Sequence, residues 1–220
     1  MYGAKLWGVL CTLPLLLTAC TVTTPDDSVW EDVSNFSWPT EIGTVMKYRK
    51  IVGDTIKTEV VVIEQGKAGP GQDQLADYLM LKDTTLVTPP RVYFRANRDT
   101  LRAIKDDIGM DMELVAPLEK GHTWYTESTT LGVTWKAEII DRYAYRKIEG
   151  TVYPNVIAVK YRRYDANGTP DSEEWIRFFA EDVGEILSIR NLYPVSSSPA
   201  QILPQQMERR ELIGITGTLD

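Results

Sequence analysis

In two separate segments of this chain, side chains alternate with a period of two, and that constrains the fold more than any motif does. In Thr55-Ile-Lys-Thr-Glu-Val, residues Thr55, Lys57 and Glu59 share one face, and Ile56, Thr58 and Val60 share the other. In the segment from Val133, residues Thr134, Lys136 and Glu138 face one way, and Trp135, Ala137 and Ile139 the other. Alternation of this kind marks half-buried strands, with each Lys-x-Glu on the solvated face of an edge or outer strand. Strands are expected over 45–52, 55–64, 75–82, 91–96, 100–105, 110–115, 123–127, 133–148, 156–164, 174–180 and 184–190. Asp165-Ala-Asn-Gly168 and Glu181-Asp-Val-Gly184 read as hairpin turns, and Gly66 to Gln74 as a loop. No stretch of ten or more residues has helical periodicity. The best helix candidate is short, Gln205 to Leu212 after Pro204.

Two stretches of the chain resemble each other. Pro39-Thr-Glu-Ile-Gly43 and Pro117-Leu-Glu-Lys-Gly121 both read P-x-E-x-G. Gly53 to Val61 and Gly132 to Ile140 both read G-x-T-x-K-x-E followed by two β-branched residues. The offsets are 78 and then 79 residues, which suggests a diverged tandem repeat over 39–115 and 117–195. Two such units imply an all-β fold, antiparallel throughout, packed as a curved double sheet or a partly open barrel. On this division 20–38 is a stalk and 196–220 a linker and C-terminal tail.

The N-terminus carries an address. Lys5 precedes a nearly unbroken apolar run, Leu6 to Ala19, which has the length of a signal-peptide core rather than a membrane span. The run ends in Leu17-Thr18-Ala19-Cys20, which resembles the lipobox of bacterial lipoproteins. That resemblance implies cleavage after residue 19 and diacylglycerol on the Cys20 sulfur, with membrane attachment through the lipid. Thr21, where a retention signal would place Asp, favours the outer membrane. With Cys11 removed and Cys20 lipidated, neither of the two cysteines remains to form a disulfide. Without Lys5 the mature chain holds 23 basic and 31 acidic residues, a net charge of −8. That excludes nucleic acid as an expected partner.

The chemistry of catalysis is sparse. His122 is the sole histidine, so a His-rich zinc site is excluded. The residue aligns with Thr44 in the first repeat, which makes it a turn residue where a strand begins; a catalytic or metal role is the alternative. No G-x-S-x-G elbow, Walker loop or dinucleotide fingerprint is present. Asp106, Asp107, Asp111 and Glu113 fit no EF-hand spacing. Glu173, Glu174, Glu181, Asp182 and Glu185 could include a carboxylate pair of the glycosidase kind. Aromatics crowd the second repeat. Most belong to a core, while Trp124, Trp135, Tyr143, Tyr145 and Trp175 are the candidates for contact with a ligand or partner.

Gly121-His-Thr-Trp124 behind Pro117-Leu118, Asn155-Val-Ile-Ala-Val159, and Phe178-Phe-Ala-Glu-Asp-Val-Gly184 together resemble bacterial envelope lipoproteins that include the TapB-like family. The first repeat departs from that pattern, with Met46 in place of the Trp. The resemblance implies an exported, antiparallel all-β lipoprotein module and brings no catalytic residues, metal or cofactor beyond the covalent lipid. The expected function is a lipid-anchored, non-enzymatic envelope module that docks another envelope protein in surface assembly or export. The alternatives are a carrier of a lipid or other apolar ligand, and a carboxylate-based carbohydrate-active enzyme.

Overall fold

The computed structural model describes residues 27–66, 78–86, 91–105, 111–128, 133–193 and 205–217. Its strands are β1 (Val45–Val52), β2 (Thr55–Gln65), β3 (Leu79–Asp83), β4 (Arg91–Ala96), β5 (Thr100–Lys105) and β6 (Asp111–Val115). They continue as β7 (Thr123–Ser128), β8 (Val133–Ile148), β9 (Thr151–Tyr164), β10 (Pro170–Ala180), β11 (Gly184–Leu192) and β12 (Gln205–Thr216). All twelve form one antiparallel sheet in the order β6-β5-β4-β3-β2-β1-β12-β11-β10-β9-β8-β7. The sheet curls nearly into a closed barrel, with β6 brought back against β7. Curling removes most of the exposed edge that a flat sheet of this width would leave.

The order consists of two successive six-stranded meanders, β1 to β6 and β7 to β12. The two P-x-E-x-G turns that open them have the same geometry. The Gly43 N–H donates to the Ile63 carbonyl, and the Gly121 N–H to the Ile139 carbonyl, both at 2.8 Å. The Thr44 N–H donates to the Glu41 carbonyl at 3.2 Å, and the His122 N–H to that of Glu119 at 3.0 Å. Gly43 and Gly121 have φ of 91° and 88°, a region that glycine enters without steric cost.

The second sequence match does not superpose. Ile63 holds the place of Ile139, an offset of 76, so the aligned G-x-T-x-K-x-E segments are three residues out of step. An odd slip reverses the faces. Trp135, Ala137 and Ile139 point into the core, as the alternation predicts. In β2, however, Glu59 shares the inward face with Val61 and Ile63 rather than lying on a solvated one.

Two segments expected at the periphery belong to the body of the fold. The supposed helix at Gln205–Leu212 is part of β12, the strand that joins the meanders by pairing with β1 on one side and β11 on the other. Residues 205–216 are therefore not a tail. Their charges mask the pattern because both faces find ion partners: Glu208 and Arg210 on one, Arg209 and Glu211 on the other. Likewise 27–38 is not stalk. Two short 3-10 turns, Asp27–Glu31 and Val33–Phe36, set Trp30, Val33, Phe36 and Trp38 into the core. The Val33 N–H donates to the Arg98 carbonyl in the β4–β5 turn at 2.9 Å. The Asp182 N–H in the β10–β11 turn donates to the Asn35 carbonyl at 2.7 Å. The segment thus plugs one end of the barrel.

The β8–β9 hairpin overruns that end and folds back across the outside. A register shift between Ile139 and Asp141, opposite Val159 and Ala158, and the left-handed Asn155 nearer the tip, φ 42°, together bend the ribbon. Its far part crosses β10, β11, β12 and β1. The Arg146 guanidinium sits 3.9 Å from the Phe178 ring centroid, the Tyr153 hydroxyl donates to the Leu212 carbonyl at 3.5 Å, and Glu149 pairs with Arg49.

Candidate functional site

A cavity of about 180 Å3 lies inside the barrel between the two meanders. Trp38 from the plug reaches it, packed between Phe94 of β4 and Phe179 of β10 at centroid distances of 5.3 and 6.3 Å. One side is apolar, with Val61, Leu81 and Val92 on neighbouring strands of the first meander. The other side is ionic.

Six side chains of alternating charge run along that ionic side. Arg177 Nη1 donates to Glu185 Oε2 at 3.0 Å. Arg210 Nη1 donates to Glu185 Oε1 at 3.0 Å, and its Nε to Glu59 Oε2 at 2.8 Å. Lys50 Nζ lies 3.5 Å from Glu59 Oε1 and 2.9 Å from Glu208 Oε1. The chain Arg177–Glu185–Arg210–Glu59–Lys50–Glu208 thus passes from β10 through β11 and β12 to β2 and β1 and returns to β12. Strand alternation puts these residues there: Arg177 lies between Trp175 and Phe179 on the inward face of β10, and Arg210 between Glu208 and Leu212 on β12.

Burial makes the arrangement exacting. Arg177 and Glu185 are almost wholly enclosed, with 3% and 4% of their side chains exposed. Charges removed from water this far are tolerated when paired, and breaking one pair strands its partner. Burial opposes the Arg210 charge, but Tyr48, Glu185 and Glu59 hold it, so its pKa lies above the ordinary arginine value. The Arg210 guanidinium stacks 3.5 Å from the Tyr48 ring centroid, and the Tyr48 hydroxyl donates to the Glu185 carbonyl at 3.1 Å. Burial pushes the Tyr48 phenol well above its usual value. Around Arg177, Trp175 and Tyr161 present ring faces at 4.9 and 5.6 Å.

The aromatic residues singled out in the sequence do not form one patch. Trp124 and Trp135 are core residues. Trp175 is half-buried in the cavity wall, and its Nε1 donates to Glu173 Oε1 at 2.7 Å. Tyr143 is half-buried on the folded-back hairpin, 6.4 Å from Phe178. Tyr145, on the same hairpin, is 72% exposed. Cys20 lies outside the described residues, as do Asp106 and Asp107. His122 sits in its turn and stacks on Trp124 at 5.7 Å.

The second acidic group is dispersed. Glu173 and Glu185 face inward. Glu174 accepts from the Tyr193 hydroxyl at 2.9 Å on the opposite face, Glu181 accepts from Asn155 Nδ2 at 2.7 Å, and Asp182 occupies the turn with φ 58°. No cluster of His, Cys, Asp and Glu suited to a metal occurs among the described residues. Sequence reasoning missed the ionic chain because its members are spread from Lys50 to Arg210. The available signal was a charged residue on the apolar face of a strand, as at Arg177 between two aromatics.

No family model matches the chain, and neither does any curated protein. Solved structures do. A Bacteroides fragilis protein described as exported and as having a YmcC-like fold aligns at a TM-score of 0.50 and 10% identity, over 81% of this chain and 98% of its own. A Parabacteroides distasonis protein described as a lipoprotein aligns at a TM-score of 0.41 and 9% identity, over 81% of this chain and 97% of its own. At such identities the likeness to the first is one of fold alone: the nearly closed antiparallel sheet of this chain is similar to a fold described as YmcC-like.

Proposed function

We propose that this chain is a lipid-anchored, non-enzymatic protein of the cell envelope that docks another envelope component through its folded-back hairpin. The apolar run ending in Leu17-Thr18-Ala19-Cys20 supports export and lipidation, and a fold shared with a protein described as exported supports export. The outer membrane is the site favoured by Thr21.

The observation that carries docking is the outer face of the hairpin. Its inner face, with Arg146, Ile148 and Tyr153, is spent against the barrel. Cross-strand partners Tyr145 and Pro154, and Lys147 and Val152, share the other face, and all four are exposed. Tyr145 is 72% and Val152 58% exposed. Exposed aromatic and aliphatic side chains on a braced element are what a partner-binding hot spot requires.

The cavity favours this reading over the alternatives. Carriers enclose apolar space of roughly 300 Å3 or more, whereas this cavity is about 180 Å3 with one ionic side. Of the four carboxylates in its lining, Glu59, Glu185 and Glu208 are each held by a cation and Asp83 accepts from the Thr85 N–H at 2.8 Å, an arrangement unlike a free acid–base pair across a cleft.

A photoreactive residue at position 145, introduced in intact cells, tests docking. One defined adduct with an envelope component is expected. It should vanish with Val152→Asp and be missing when the probe sits at Asp54 on the opposite end of the barrel. No adduct at 145, or one indifferent to Val152→Asp, overturns docking. Loss of palmitate labelling in Cys20→Ser tests the anchor separately.

A further inference from the structure

The cavity has chemistry that docking at the hairpin does not use. Four carboxylates (Glu59, Asp83, Glu185, Glu208) and three cations (Lys50, Arg177, Arg210) line it. An anionic guest would meet a surplus of carboxylates. A fully charged guest of either sign would have to compete with ion pairs already closed at 2.8 to 3.0 Å. An apolar guest would strip water from the ions without replacing it. A hydroxyl group avoids all three penalties, because it donates to a carboxylate's spare lone pair and accepts from a guanidinium N–H without opening the pair.

Two further features define the guest. The wall sets cationic and carboxylate groups side by side, Glu185 between Arg177 and Arg210 and Glu59 between Arg210 and Lys50, so donors and acceptors alternate along it. The facing wall of Val61, Leu81 and Val92 is apolar, so the guest needs an apolar face opposite a hydroxylated edge. A pyranose ring has both. The space is that of about six liquid waters, enough for one ring. Beyond it, an open cleft of about 660 Å3 shares Lys50, Glu59, Asp83 and Leu86 with the cavity and adds the hydroxyls of Thr55, Thr58 and Thr85.

We propose that the cavity binds one pyranose ring of a neutral glycan, with the ring's hydroxyls on the Arg177–Glu185–Arg210–Glu59 chain and the next residues of the glycan in the outer cleft. This goes beyond docking and uses a different part of the molecule.

Saturation-transfer NMR on the full chain, held in a zwitterionic detergent free of sugar head groups, tests it. The probes are glucose, galactose, mannose, fucose and N-acetylglucosamine, with glycine and inorganic phosphate as charged competitors. Transfer to the ring protons of at least one sugar is expected. Ser188→Leu, which fills the cavity from β11, should weaken that binding about tenfold or more with the far-ultraviolet spectrum unchanged. If Ser188→Leu does not fold, Val92→Phe fills the same space from β4. The proposal is overturned if no sugar shows transfer, if binding survives the filled cavity, or if glycine or phosphate displaces the sugar. None of these outcomes bears on adduct formation at position 145.

Discussion

Gly184 is tightly constrained. Its φ is 79°, and a Cβ built on it would stand 2.8 Å from the backbone nitrogen of Trp38 and 2.9 Å from its Cα. Backbone cannot yield as a side-chain tip can, so the plug segment and the β10–β11 turn are fitted together through the missing methyl group. Gly184→Ala should destabilise the protein by roughly 3 kcal/mol, combining a left-handed backbone with overpacking. Gly53, φ 56°, has open space around it, and Gly53→Ala should cost only about 1 kcal/mol. Thermal melts compare the two directly, and equal shifts would mean that Trp38 does not press on Gly184. Tyr48 gives a second expectation at this scale. Its folded pKa is raised above the ordinary 10.0 by burial, so the folded state holds the phenolic proton more tightly than the unfolded chain does. The stability linked to it is complete below about pH 10 and is lost as the pH rises toward the folded value. Urea midpoints should therefore fall between about pH 10 and about pH 12, and fall less steeply in Tyr48→Phe. An unchanged slope in that variant would remove Tyr48 from the account.

At the scale of elements, β12 carries the connection between the meanders. It has ladder partners on both sides and Glu211, with 1% of its side chain exposed, paired to Arg49 of β1 and Arg209. Amide exchange from Glu208 to Leu212 should be among the slowest in the protein, and a chain ended at Pro204 should fail to fold; fast exchange there would mean that the strand is an optional appendage. Eleven strands are legible in the sequence because their residue types still show alternation, as in β8, or a continuous apolar run between turn signals, as in β9. β12 is not, since Glu208, Arg209, Arg210 and Glu211 all read as polar and only the tertiary ion partners distinguish inside from outside. The same blindness affects Glu59, which looks like half of a solvated Lys-x-Glu and is instead an inward link in the ionic chain. A charge is assigned to solvent by default, and a barrel that buries paired charges defeats that default. The plug was lost for another reason. Trp30, Val33 and Phe36 recur every three residues, the period of a 3-10 turn, but the turns are only five and four residues long, too short for that spacing to stand out.

For the whole molecule, the consequence is that neither meander is complete by itself. The first has β1 as an edge, and Phe179, which packs against Trp38 of the plug, comes from the second. The second needs Lys50 and Glu59 to finish its ionic chain, because without Glu59 the buried Arg210 keeps only Glu185. Each therefore carries unpaired backbone along one strand and unneutralised charge along one face. A fragment ending at Ala116 should then be unfolded or aggregated when made alone, and so should one beginning at Pro117. Made together, the two should recombine, because the break falls between β6 and β7, where the sheet has no ladder to cut. Circular dichroism and size-exclusion chromatography of the separate and mixed fragments decide this. A folded, monomeric first fragment would show that the repeat units are independent domains. Recovery of the native spectrum only on mixing would make the barrel, and the cavity between its halves, the unit that folds.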